Sequence, residues 1–259
     1  MLISINNKIL KKAAAKIPIS SSLLRGFGVF ETMRTYENKK FFKPNNHLQR
    51  LFDSAKKIGL KIKYSKSQIL DIIDKISKKS AHKIQRIKVV ALEDQLIITS
   101  EKEVIPKLSN GVKCMSINCV RSLPEVKSVS YLPSYLSHVK AAEKGFYEAI
   151  LIDDDTYVYE GAYTNIFWFE GNNLCTRKDK ILPGIIRDTI IKISPYPVKF
   201  KTIKLKELIK KEEVFLTNSI KGIVPVAQID KTKIKTDKKT KILANLLDNY
   251  IKKNSSLIS

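Results

Sequence analysis

The chain has 259 residues, of which 43% are apolar and 28% charged; this supplies a hydrophobic core for one large domain or two modest ones and excludes a disordered chain. With 48 lysines and arginines against 25 acidic residues, the formal net charge is +23; the basic residues are scattered in twos, without the aromatic-interleaved clusters of a nucleic-acid surface, and their field suits an anionic small molecule better. No apolar run approaches the roughly 18 residues of a membrane-spanning helix, and Asn7, Lys8, Lys11 and Lys12 interrupt the first apolar stretches, so neither a membrane partner nor a secretory leader is expected and the chain reads as cytoplasmic.

Residues 2–6 and 40–43 read as short strands. From about Asn45 a helix is predicted. Leu48, Leu51, Phe52, Ala55 and Ile58 follow a period of about 3.6 residues, Asn45 or Asn46 is placed to cap it, and Gly59 to end it. A second helix is predicted over 66–78, with Ile69, Ile72, Ile73 and Ile76 as its stripe. Residues 84–92 and 95–100, separated by Glu93-Asp94, read as a hairpin. The polar stretch EKEVIPKLSNG, holding Pro106 and Gly111, is the best domain boundary.

Beyond it, 112–120 reads as a strand and 131–144 as a helix stopped by Gly145. Four short strands follow at 147–152, 156–160, 165–169 and 173–176. A helix is predicted to start near Gly184, with strands near 198–204 and 213–217 after it. An amphipathic helix from Thr236 to Lys252 closes the chain, with Ile242, Leu243, Leu246, Leu247, Tyr250 and Ile251 on its apolar face. Runs of strands with helices on one side point to an α+β fold. We expect a smaller N-terminal domain over 1–106 and a larger C-terminal domain over 112–259. Neither a dinucleotide fingerprint nor a P-loop is present. Cys114, Cys119 and Cys175 form no CxxC pair, so neither a disulfide framework nor a metal site is expected.

The chain has only nine glycines, and five sit in the segments RGFGVFETMR, YEGAYTN, LPGIIRD and TNSIKGIVPV. Such concentration suggests special turns around a ligand, because glycine permits close approaches that other residues forbid. Six segments together resemble the class IV, fold-type IV aminotransferase family. They are GFGVFETMRTY at 26–36, HLQRLFDSAKKIGL at 47–60, EVKSVSYL at 125–132, EAILIDDDTYVYEGAYTNIFWF at 148–169, LPGIIRDTII at 182–191 and VFLTNSIKGIVPV at 214–226. The family includes branched-chain transaminases, D-amino acid transaminases and aminodeoxychorismate lyases. The resemblance implies two domains with pyridoxal 5′-phosphate (PLP) in the cleft between them, and a homodimer.

Each expected role follows from the resemblance, residue by residue. Lys127 matches the catalytic lysine that forms the Schiff base and moves protons, which places that lysine in the C-terminal domain; burial beside other cations should keep it partly neutral. Glu160 matches the carboxylate that keeps the pyridine nitrogen protonated, so that the ring serves as an electron sink. Arg50 matches the phosphate-gripping arginine, whose planar fork bonds two oxygens at once. The segment around Ile185 and Ile186 should bring a helix N-terminus to the phosphate. Many family members carry threonine where this chain has Ile186, so only backbone N–H groups are offered there. Ser219 matches a hydroxyl-bearing phosphate ligand. Tyr131 matches a tyrosine that bonds the ring phenolate oxygen.

For the substrate, an amine bearing a carboxylate, Arg34 occupies a position that often faces that carboxylate, with Phe30, Ile220 and Lys221 as further expected contacts. Where many transaminases have an Arg-Gly pair, this chain has Ala91-Leu92-Glu93. That departure, together with GVFET, TNSIKGIVPV, NIFW and the short length, makes an aminodeoxychorismate lyase the first expectation. In that reading Lys127 removes the ring proton, pyruvate leaves, and 4-aminobenzoate is released without a keto-acid co-substrate. The alternative is an amino-acid transaminase using 2-oxoglutarate, for branched-chain rather than D-amino acids.

Overall fold

The structure, a computed structural model, describes residues 1–17, 19–106 and 108–258. The chain divides into two compact units. Unit 1 comprises Met1–Ile105, Val126–Ser130 and Ile251–Ser259, and unit 2 comprises Pro106–Glu125 and Tyr131–Tyr250.

The first 105 residues carry β1 (Leu2–Ile5), β2 (Lys8–Lys11), α1 (Ser21–Arg25), β3 (Gly28–Arg34), β4 (Phe41–Phe42), α2 (Pro44–Lys57), α3 (Lys66–Lys79), β5 (Gln85–Leu92) and β6 (Leu96–Lys102). Five of these strands form a sheet in the order β2-β1-β6-β5-β3, with every pairing antiparallel. Along β5, Ile87, Val89 and Ala91 alternate inward and are wholly buried against Leu48, Leu51, Ile69 and Ile73 of the two helices. The expected cap of α2 is corrected. Lys43 is the N-cap, in a left-handed conformation, and Pro44 takes the first helical position, where a missing N–H breaks no helical bond; Asn45 and Asn46 lie inside the first turn. Ser65 and Gln68 cap α3 reciprocally. Strands β2 and β3 were not among the predicted elements.

The remainder carries β7 (Val112–Asn118), α4 (Leu132–Glu143), β8 (Glu148–Ile152), β9 (Val158–Gly161), β10 (Asn165–Glu170), β11 (Asn173–Thr176), α5 (Ile185–Ile193), β12 (Val198–Phe200), α6 (Leu205–Leu208), β13 (Val214–Asn218), β14 (Gly222–Ile229), β15 (Thr232–Lys233), α7 (Lys238–Asn254) and β16 (Ser255–Ser256). A nine-stranded sheet runs β12-β11-β10-β13-β14-β7-β8-β9, with β15 on β14. The β7–β8 pairing is parallel and needs a long crossover, in which α4 lies. Trp168, Leu216, Val224, Val226 and Ile229 form the centre of this unit's core. Strand β16 pairs with β4 in unit 1.

The segment Val126–Ser130 packs with unit 1, not with the C-terminal unit in which the sequence reading put its lysine. Backbone bonds from Phe30 N–H to the Lys127 carbonyl at 2.8 Å and from Val129 N–H to the Gly28 carbonyl at 3.0 Å hold it against β3. Among the described residues no helix is long and apolar enough to cross a membrane.

Candidate active site

The expected site residues fall into two groups, one in each unit. In unit 1, α2 turns His47, Arg50 and Ser54 to one buried face, as spacings of three and four residues dictate. Ser54 Oγ accepts the Lys127 backbone N–H at 3.3 Å. The Lys127 ammonium is half-buried and lies 4.6 Å from the centre of the Phe30 ring, which the Lys88 ammonium also approaches, at 4.8 Å. Lys127 and Phe30 are thus brought together. Arg34 sits four residues along β3 from Phe30, on the same face of the strand. Its guanidinium lies over the Tyr36 ring at 4.4 Å, and its Nε is buried without a hydrogen-bond partner.

Unit 2 holds Glu160 at the end of β9, 3% exposed. One carboxylate oxygen accepts from Arg121 Nη1 at 2.7 Å and the other from the Leu182 amide at 2.9 Å. Asn165 Nδ2 bonds the Leu182 carbonyl at 2.8 Å and so ties the same loop. Gly184 follows, and a Cβ there would stand 2.0 Å from Asn165 Oδ1; only glycine fits. Gly184 is also the N-cap of α5, so Ile185 and Ile186 present the first backbone amides of the helix, which have no partner within it. Their side chains are buried and contribute packing.

Helix α5 packs against β13, which ends in the turn carrying Ser219. Asn218 Oδ1 accepts the amides of Ile220 and Lys221 at 3.0 and 2.8 Å and fixes that turn. Beside it, Thr217 Oγ1 is buried with no hydrogen-bond partner. Tyr131, the N-cap of α4, donates its hydroxyl to the Ala162 carbonyl. Its ring stacks on Tyr163 at 5.5 Å and faces the Arg121 guanidinium at 5.6 Å. Burial, aided by Glu160 and Glu148 and opposed by Arg121, pushes the Tyr131 phenol up, so it keeps the proton it donates.

Sequence reasoning missed Arg121, Asn165, Glu31 and His47. Glu31 left a legible signal: it shares the inward parity of Val29 and Met33 on β3, where a charge demands a partner. Arg121 left none, because it lies outside regular structure and its partner is 39 residues away.

Unit 1 carries an arginine and a half-buried lysine, and unit 2 a fixed carboxylate, helix amides with no partner within the helix and a turn hydroxyl, each a kind of group that a phosphorylated pyridine can engage. Two buried groups, Arg34 Nε and Thr217 Oγ1, lack partners and suit an anionic ligand. The family described as amino-transferase class IV matches residues 28–229 of the chain. The chain belongs to that family.

Among relatives of this class IV aminotransferase-family enzyme, a putative branched-chain-amino-acid aminotransferase of Methanocaldococcus jannaschii is 31% identical, over 89% of this chain and 88% of that protein. An aminodeoxychorismate lyase of Bacillus subtilis is 28% identical, over 88% and 87%. The crystal structure of a branched-chain aminotransferase from the thermophilic archaeon Thermoproteus uzoniensis, with norvaline, superposes with a TM-score of 0.91 at 26% identity, covering 100% of this chain and 99% of that one. The expected α+β, fold-type IV architecture is therefore the fold of this enzyme, and the expected cofactor, PLP, is its cofactor.

Proposed function

We propose that this PLP-dependent enzyme carries its cofactor on Lys127 and transfers an amino group between a branched-chain amino acid and 2-oxoglutarate. The observation that carries this reading is the likeness to the archaeal relative of that name, 31% identical along most of both chains. When bound, PLP supplies an electron-accepting ring for the charge that develops at the substrate carbon.

The chain's own residues do the rest. Glu160 would keep the pyridine nitrogen protonated, and Arg121 and the Leu182 amide keep its carboxylate from turning away. For the phosphate, unit 1 would offer Arg50, and unit 2 the first amides of α5 and the Ser219 hydroxyl. Ile186 offers only its amide. Tyr131 would meet the ring oxygen only by giving up the bond that its hydroxyl donates to the Ala162 carbonyl. Arg34, with a buried unpartnered Nε, would take the substrate carboxylate, with Phe30 on the same face of β3 as a further contact; Ile220 and Lys221 would be the contacts offered by unit 2. Lys127 removes a proton from the substrate carbon and returns one.

Aminodeoxychorismate lyase, the first expectation from the sequence, is the second reading, and one feature favours it. β5 turns into β6 at Glu93–Gln95, closed by the Leu92 amide on the Gln95 carbonyl at 2.9 Å. Glu93 there faces Ser22, where a carboxylate-trapping cation would suit a transaminase. With PLP-loaded protein, leucine and 2-oxoglutarate should yield glutamate. Equal amounts of 4-aminobenzoate and pyruvate from aminodeoxychorismate, with no keto acid added and no glutamate from leucine, would overturn the transaminase reading.

A homodimer belongs to the proposal. Leu132, Tyr135 and Leu136 are all more than half exposed on α4 and support an apolar contact. Light scattering at micromolar concentration should give twice the chain mass, and a monomer would count against it.

A further inference from the structure

Glu31 is wholly buried on β3, and no step above uses it. It accepts from Arg50 Nε at 2.7 Å with one oxygen and from Arg50 Nη2 at 2.9 Å with the other. The second oxygen also lies 2.8 Å from His47 Nδ1. Two bonds along one edge fix the plane of a guanidinium. Burial alone would raise the Glu31 carboxyl, but Arg50 and His47 outweigh it and hold the group well below the usual carboxylate range. A buried ion pair is a poor way to fill a core, since apolar side chains of like volume often stabilise as much or more. Here the pair holds Arg50 in one direction.

We propose that Glu31 is a positioning residue for cofactor binding: together with His47 it sets the Arg50 guanidinium in the orientation that meets the phosphate. The inference rests on the reading of Arg50 as the phosphate ligand. It makes a prediction opposite in sign to simple electrostatics. The Glu31 charge offsets part of the attraction between Arg50 and a phosphate, so on charge alone Glu31→Gln would tighten phosphate binding. If orientation governs, the same substitution weakens it.

The test titrates apo-protein with PLP and, separately, with pyridoxal, which lacks the phosphate. Glu31→Gln should weaken PLP binding about tenfold, the scale of one charge-assisted hydrogen bond, and leave pyridoxal within about twofold. Adding Glu31→Gln to Arg50→Ala should cost nothing further. Equal losses for PLP and pyridoxal would mean a merely structural role and overturn the proposal. Unchanged or tighter PLP binding in Glu31→Gln, with a loss in Arg50→Ala, would overturn it while leaving the phosphate reading intact. Unchanged PLP binding in Arg50→Ala would remove both. Should Glu31→Gln not fold, His47→Gln carries the same comparison: a loss confined to PLP supports the proposal, and equal or no losses overturn it.

Discussion

Arg121 reaches Glu160 across 39 residues of sequence and bonds its carboxylate at 2.7 Å, with both side chains nearly excluded from solvent. Removing one partner of such a pair leaves an uncompensated buried charge. Arg121→Ala should therefore cost about 3 kcal/mol of stability, read from urea unfolding, and should also lower turnover, because Glu160 loses its anchor. Arg121→Lys should recover only part, since an ammonium cannot reproduce the planar fork or the face it turns to Tyr131. Wild-type stability in Arg121→Ala would remove this pair from the account of the site.

Lys127→Ala should abolish turnover while the protein still folds, because the side chain is only half-buried. Borohydride treatment of the wild type with PLP should label Lys127, and peptide mapping checks this. A label on another lysine, with activity retained in the variant, would show the motif match to be wrong. Glu160→Gln should keep PLP bound but slow the reaction strongly, since a neutral amide no longer favours a protonated ring nitrogen.

Acid should destabilise the protein in two stages. Burial holds the His47 imidazole below its ordinary value, with Glu31 opposing the shift. His47 therefore binds a proton less readily folded than unfolded, and takes one up on unfolding as pH drops through about 6.5, the unfolded value. The unfolded state binds more protons there, so stability falls as pH drops through that value. Glu31 acts lower down. Its stabilisation is complete above about pH 4.3, the unfolded value, and is lost as pH falls further. Urea midpoints between about pH 7.5 and pH 5.5 should decline in the wild type and flatten in His47→Gln. An undiminished slope in the variant would assign the first stage elsewhere.

Gly184→Ala should be costly out of proportion to one methyl group. The added carbon would meet Asn165 Oδ1 at 2.0 Å, in the loop that gives Glu160 its Leu182 amide. A loss of about 2 kcal/mol or more is expected, together with weaker PLP binding in an apo-protein titration. Wild-type values for both would mean the loop relaxes freely.

The sequence by itself determined the local elements. The stripes Leu48, Leu51, Ala55 and Ile69, Ile72, Ile73, Ile76 give α2 and α3, because helical periodicity is written within a dozen neighbouring residues. It also carried the six motifs that place the chain in its family, which the match over residues 28–229 bears out. The α2 cap was misread because Asn45 and Asn46 compete with a Lys43–Pro44 start that only backbone conformation distinguishes. Tertiary structure alone decided that Val126–Ser130 packs with unit 1 against β3, and that Glu31 and His47 close on Arg50. It also decided that Arg121 and the Leu182 amide fix Glu160. These contacts join residues far apart along the chain. A buried charge demands a partner, but its sequence neighbourhood does not say which one, and only the packed chain brings that partner within hydrogen-bond reach.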